Sequence, residues 1–437
     1  MQDYLLLHKW QKILSDINEP LYSSTRKMKF SSMAKCQKSP VFIRGANGGN
    51  LVEGVGLYSN GSNARFSNLF RCRSSWACPV CSDLAAREWK LKFEAILRGQ
   101  ARKGYSAVMV TFTVAHYLNN PAKEVLSRLN TVWRKTMHGH WLARRFQCHS
   151  CDSEKWNFFK FARVTECNYT RNGWHFHYHV VFFGKIEELR AFWDENEAAI
   201  KERWSKFDRQ MMVADGITPS KETDRTQETG VVVSRTVNGD VRVARPLSII
   251  KYLTSGWSLS TEVSSGFGTG DKALHEGSRH VFELLASSDI SDNEKFIEYA
   301  TVTQNKCRIK LSYGLLDDAI FEEVEQDLFE EPDSKKKYVL VAWWLLRDWF
   351  KIIEREMREN VPHRANLAYL ARSQLIDDII FYCETFNLPI PLKDSQDGTA
   401  NTFEEYQPQI EPIVEAKSKS RSIAAEIKKR QRSKYAS

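Results

Sequence analysis

The chain has 437 residues, 42% hydrophobic and 27% charged, a balance expected of a soluble globular protein of roughly two or three domains. Lys and Arg number 63 against 54 Asp and Glu, a formal charge of +9 that suits an acidic partner such as nucleic acid and equally suits a solvated basic surface. No run of 18 or more apolar residues occurs, so no membrane-spanning helix is expected, and the short apolar run near Met1 lacks the basic flank of a signal peptide.

In chain order, Tyr4–Asp16 reads as a helix, followed by a Ser/Lys-rich loop. Residues 36–81 carry four cysteines and the insert Gly45-Ala-Asn-Gly-Gly-Asn50, with little apolar content for a core of their own. Ser82–Gly99 has helical periodicity, with Leu84, Trp89, Leu91, Phe93 and Ile96 near one face. Ser106–Val114 is β-branched and aromatic, a central strand. Ala122–His138 reads as a helix and 139–157 as an irregular insert. Phe158–Cys167 and Trp174–Phe183 read as strands joined through Asn172-Gly173, a hairpin signal. Lys185–Met212 is a long amphipathic helix. Short strands follow at Gly230–Ser234 and Asp240–Val243, then a helix over Leu247–Thr254 and a Ser/Gly-rich loop over 255–275. From about 277 the pattern is helical, with the apolar run Tyr338–Phe350 expected as a buried helix. The end of the chain is polar, and Lys417–Lys434 holds eight Lys/Arg and one Glu.

The chemistry concentrates in Asn172-Gly-Trp-His-Phe-His-Tyr-His-Val-Val-Phe-Phe-Gly184. Side chains alternate along a strand, so His175, His177 and His179 share one face, while Phe176, Tyr178 and Val180 face a core. Neutral imidazoles in such a row invite a divalent metal. Glu166, on the preceding strand, folds back beside them and is a candidate third ligand. A carboxylate with two imidazoles makes a hard, partly open site suited to Mg²⁺ or Mn²⁺ that must also bind a phosphate.

These residues, with Phe161-Ala-Arg-Val-Thr-Glu166 before them, resemble the metal-binding motif of plasmid rolling-circle replication initiators of the HUH endonuclease superfamily. Val108–Val114 looks like the family's first strand motif, and Cys72-Arg-Ser-Ser-Trp-Ala-Cys-Pro-Val-Cys81 like the cysteine signature ahead of it. Ile250-Lys-Tyr-Leu-Thr254, followed by Gly256-Trp-Ser-Leu-Ser-Thr-Glu262, looks like the tyrosine motif. The resemblance spans roughly residues 36–320. It implies His177 and His179 as the metal pair, with His175 and Glu166 beside them, and Tyr252 as a nucleophile that leaves a 5′-phosphotyrosine and a free 3′-OH. Ser255 stands where members often carry Lys, and Glu262 or a water could assist the closing step.

Nine cysteines occur, two pairs of them as Cys-x-x-Cys, which argues for reduced thiols, metal and a cytoplasmic compartment, bacterial by the resemblance. A structural Zn²⁺ could be held by Cys36, Cys72, Cys78 and Cys81, or by Cys78, Cys81, Cys148 and Cys151. The resemblance favours the first set. Cys148 and Cys151 would then bind a metal of their own with His138 or His140, or none. Cys167, Cys307 and Cys383 read as small hydrophobes. Trp133-Arg-Lys, Trp141-Leu-Ala-Arg-Arg and Trp156-Asn-Phe-Phe-Lys interleave rings and cations, a mixture that suits single-stranded DNA.

The expected architecture is therefore α+β: an antiparallel-sheet HUH endonuclease core with helices on its outer face. Residues 1–104 form an N-terminal region with a zinc element, 105–275 the nuclease domain, 276–395 a helical C-terminal region and 396–437 a disordered polar and basic tail. The expected function is nicking of single-stranded or hairpin origin DNA to start rolling-circle replication of a plasmid or phage, with a host helicase and DNA polymerase as partners. The rivals are a related single-tyrosine HUH transposase or relaxase, a non-catalytic zinc-dependent DNA-binding regulator, and a metal-dependent hydrolase of small substrates.

Overall fold

A computed structural model describes residues 2–18, 31–41, 53–137, 160–217, 230–234, 241, 278–319 and 338–392. Residues 1–390 form one compact unit and 391–437 a second. The helix 247–254 with Tyr252, the 139–157 insert with Cys148 and Cys151, His138, His140, Glu262 and the tail at 396–437 lie outside the described residues. Among those described, no helix is long and apolar enough to cross a membrane.

Strands form near the expected positions at 106–114, 158–167, 174–183 and 230–234, with ends that differ by up to a few residues, while of the strand expected over 240–243 only Val241 is described. β3 (Ser106–Thr113), β4 (Lys160–Thr170) and β5 (Gly173–Gly184) pair antiparallel in the order β3-β5-β4, which places the histidine strand between two partners. β6 (Val231–Val233) adds to the outer edge of β3, while β7 (Arg279–His280) and β8 (Ile309–Leu311) both pair with β4. The β4–β5 link shrinks to Arg171-Asn172, because Thr170 already pairs with Gly173. Gly173 carries the left-handed backbone, φ +91, and a Cβ there would lie 2.7 Å from the Tyr117 carbonyl oxygen. Both the turn and the close approach require glycine.

Helices cover both faces of this sheet. α4 (Ala122–Met137) and α5 (Ile186–Ala214) pack on the even-numbered face of β5. There Trp133 meets Phe112 at 5.0 Å and Tyr178 at 5.5 Å, and Trp193 meets Phe182 at 5.3 Å. α3 (Pro79–Arg102) covers part of the opposite face, where Phe93, Ile96 and Leu97 pack with Ala107, Ala162, Val181 and Phe183. His175, His177 and His179 share that second face, displaced along β5 from the apolar residues under α3.

Two expectations need correction. The segment Tyr338–Phe350 is not one buried helix: Val339–Leu345 is strand β9, and α8 (Leu346–Glu359) begins after it. β9 pairs with β1 (Gly54–Ser59), which also pairs with β2 (Ala64–Phe66), so residues read as poor in core content form a sheet with buried Val55, Leu57 and Phe66. The physical reason lies in the partner. A Cβ at Gly54 would sit 2.6 Å from the Trp343 ring, so glycine makes room for the tryptophan, and an apolar run that could serve a helix is captured as a strand. This three-stranded sheet joins the N-terminal region to the region after 276, which is therefore mixed rather than purely helical.

The remaining helices are α1 (Gln2–Asn18), α2 (Ser31–Lys35), α6 (Val281–Ala286), α7 (Ile290–Thr303), α9 (His363–Leu370) and α10 (Ile376–Thr385). Trp10 of α1 packs edge-on against Phe296 of α7 at 5.0 Å. Arg364 of α9 is buried and gives one hydrogen bond to the Gln37 carbonyl, one to Gln11 and three to Glu356, which keeps the Glu356 carboxyl ionised despite its burial.

Gly173→Ala is expected to destabilise the chain by about 1–3 kcal/mol, because it adds strain at positive φ to a backbone clash. Urea unfolding followed by circular dichroism checks this; an unchanged midpoint would contradict the close approach to Tyr117.

Candidate functional site

Strand register builds the first donor cluster. Glu166 of β4 lies directly across from His177 of β5, and Thr111 of β3 directly across from His179. His177 Nε2 stands 3.3 Å from Glu166 Oε2, His179 Nε2 stands 3.4 Å from the same oxygen, and the two imidazole nitrogens are 3.2 Å apart. These three side chains form a group whose ligand atoms all lie within 4.8 Å of one another. Glu166 is 3% exposed and His177 6%, whereas His179 is more open. Solvent therefore reaches the group mainly through His179.

The electrostatics suit a cation. Burial alone would push the Glu166 carboxyl up, but the His179 and His177 imidazoles beside it hold it well below the usual carboxylate range. Its second oxygen, Oε1, is buried and has no hydrogen-bond partner among the described residues. A buried carboxylate oxygen left without a donor is costly; the other oxygen of the same carboxylate, Oε2, is the one that faces the two imidazoles. Two imidazole nitrogens and a carboxylate oxygen are donors that a metal ion could use, and three protein ligands would leave coordination positions open.

His175 is in the same row but outside this converging group. Its ring stacks on His177 at 4.7 Å and on His116 at 4.9 Å. Sequence reading missed His116, which follows the end of β3 and has no partner in a motif. Burial pushes its imidazole down to about 4, so it is neutral at physiological pH. The backbone next to it is pinned from below: the Ala115 amide donates to Asp208 Oδ2 at 2.9 Å, and the Ala115 carbonyl accepts from buried Arg128, which also lies 3.4 Å from Asp208 and 3.3 Å from Asp215. Thr111 was also missed. A threonine in a β-branched strand carries no sign of its role until the register is known.

Among the described residues Cys36, Cys72, Cys78 and Cys81 form the second donor cluster, which could hold a metal; Cys148 and Cys151 of the alternative set lie outside them. The Cys36–Cys81 sulfurs are 3.5 Å apart, Cys36–Cys78 3.6 Å and Cys72–Cys81 3.7 Å. A disulfide would need about 2.05 Å. Four thiolates around a tetrahedral Zn²⁺, each at about 2.3 Å, would stand roughly 3.8 Å apart. Local backbone supports the arrangement. Gln37 and Arg73, each just after a cysteine, have φ +55 and +56. Cys78 caps α3, Pro79 fills its first turn, and Cys81 lies in that turn, where amide dipoles favour a thiolate. Burial holds the Cys78 thiol up, while hydrogen bonds from Cys36 and its neighbours pull Cys81 down. Cys167 and Cys383 are buried, as small hydrophobes should be, but Cys307 is exposed.

The two clusters are structurally connected. Trp76, between Cys72 and Cys78, donates to the Lys306 carbonyl at 2.9 Å. Arg308 donates to the Ser75 carbonyl at 2.7 Å, and its own carbonyl accepts from the Thr165 amide at 2.8 Å, one residue from Glu166.

Purified protein is expected to carry about one zinc per chain. Cys36→Ser and Cys78→Ser should each lose it, whereas Cys148→Ser with Cys151→Ser should leave this ion in place; elemental analysis by mass spectrometry distinguishes them. At the other cluster, His177→Ala and Glu166→Gln are each expected to weaken Mn²⁺ binding by about tenfold or more, read by titration calorimetry on zinc-loaded protein. No protein-family model, curated protein or solved structure matches the chain.

Proposed function

We propose that this chain nicks single-stranded origin DNA as a rolling-circle replication initiator of the HUH type, acting for a plasmid or phage. The observation that supports the reading is the convergence of Glu166 Oε2, His177 Nε2 and His179 Nε2 from neighbouring antiparallel strands, at 3.2–3.4 Å. A divalent ion bound there, Mg²⁺ or Mn²⁺, would draw negative charge from the non-bridging oxygens of a phosphodiester.

The chain's own residues then have distinct roles. Glu166 and the two imidazoles hold the ion and fix where a phosphate can lie. Tyr252 supplies the nucleophile. Its hydroxyl, with an ordinary pKa of about 10, loses its proton to solvent as Oη bonds to phosphorus. The bond from phosphorus to O3′ breaks, and O3′ takes up a proton. The products are a phosphotyrosine on the 5′ side and a free 3′-OH that can prime a DNA polymerase. The Cys36, Cys72, Cys78 and Cys81 cluster, with Zn²⁺, is structural, because a closed four-sulfur site leaves no open coordination position. The origin hairpin, a host helicase and a host polymerase are the partners this reading requires, in a bacterial cytoplasm.

The cysteine cluster also favours one reading of a different kind, a zinc-dependent DNA-binding regulator that cuts nothing. Incubation of the protein with end-labelled single-stranded DNA and Mn²⁺ separates the two. A covalent protein–DNA band resistant to denaturation is expected with the native chain and absent with Tyr252→Phe. Binding without any such band would sustain the regulator reading; a band that survives Tyr252→Phe would remove Tyr252 from its role.

A further inference from the structure

We infer that Thr111 is a positioning residue for the cation site: its hydroxyl fixes the orientation and tautomer of His179. The inference rests on the cation-binding reading of Glu166, His177 and His179. Thr111 lies on β3 opposite His179 in the β3–β5 register, and its Oγ1 is 3.0 Å from His179 Nδ1. The other ring nitrogen, Nε2, is the one that faces Glu166 Oε2 at 3.4 Å and His177 Nε2 at 3.2 Å.

A neutral imidazole carries one proton. For Nε2 to offer a lone pair to a cation, that proton must reside on Nδ1, where it needs an acceptor. Thr111 Oγ1 is that acceptor. A ligand histidine whose second nitrogen is held in this way keeps both ring angle and basicity. Threonine suits the task because β-branching restricts χ1 on a strand, so its hydroxyl is placed before any ion arrives. The strand that carries it is itself fixed on both sides, by Val232 of β6 across from Thr111 and by the Arg128–Asp208 clamp on Ala115 beyond the strand's end.

The chemical alternatives at position 111 are sharply different despite similar size. Valine keeps the shape and the strand preference but offers no acceptor. Serine keeps the hydroxyl and loses only a methyl group. Loss of Mn²⁺ affinity in Thr111→Val, with recovery in Thr111→Ser, is therefore a signature that packing alone would not produce.

The test measures free Mn²⁺ by electron paramagnetic resonance during titration of zinc-loaded full-length protein, with thermal unfolding recorded in parallel. Thr111→Val is expected to bind Mn²⁺ about 10–100-fold more weakly than the native chain. Thr111→Ser should recover most of the affinity. Native affinity in Thr111→Val, alongside its loss in His179→Ala, would overturn the role of Thr111 and leave the cation site standing. Equal Mn²⁺ binding by the native chain and His179→Ala would instead overturn the cation site itself. Should Thr111→Val fail to fold, long-range ¹H–¹⁵N spectra of the native chain decide the matter: a proton on His179 Nδ1 supports the inference, and one on Nε2 refutes it.

Discussion

The antiparallel pairing of β3, β5 and β4 is the constraint on which the candidate chemistry depends. Each strand contributes one type of group to a common face: a hydroxyl from Thr111, imidazoles from His177 and His179, and a carboxylate from Glu166. A slip of β5 by one residue would turn His177 and His179 to the opposite face and put Tyr178 and Val180 beside Thr111 and Glu166 instead. Register here is set by the aromatic packing beneath the sheet. Trp133 packs against Tyr178 and Phe112, Trp204 against Phe112 and Trp193 against Phe182, and Tyr178 and Phe182 cannot be exchanged for imidazoles without exposing a large apolar surface.

The same sheet face divides into a structural and a chemical half. Under α3 it is apolar, with Val181, Phe183, Ala107 and Ala162 closed over by Phe93, Ile96 and Leu97. Farther along β5 the helix no longer covers it, and titratable groups replace the aliphatic ones. A charged group set against such an apolar wall experiences a lower dielectric than one on an open surface. The cysteine cluster at the start of α3 bears on this geometry, because it fixes the helix that covers one half of the face. Trp76 and Arg308 carry that attachment on to Thr165, beside Glu166.

Distant parts of the chain converge on the cysteine segment as well. Arg364 reaches the Gln37 carbonyl from the far end of the sequence, and Trp349 donates to the Lys38 carbonyl at 2.8 Å. Buried pairs such as Arg364 with Glu356 contribute more to a unique arrangement than to net stability. The backbone that follows Cys36 is therefore held by residues more than three hundred positions away along the chain.

Much of this protein can be read from local sequence. The alternation of His175, His177 and His179 with aromatic residues determined a strand with a polar row and a buried row, since period two is a property of the extended backbone itself. The Cys72, Cys78 and Cys81 spacing likewise marked a metal-type cluster. What only tertiary structure decided was partnership across sequence distance. Cys36 joined that cluster, Thr111 met His179, His116 stacked on His175, and Val339–Leu345 paired as a strand with β1, where Gly54 lies close to Trp343. Local pattern specifies which way a side chain points, but a contact needs two segments, and the second is chosen by register and packing over the whole chain.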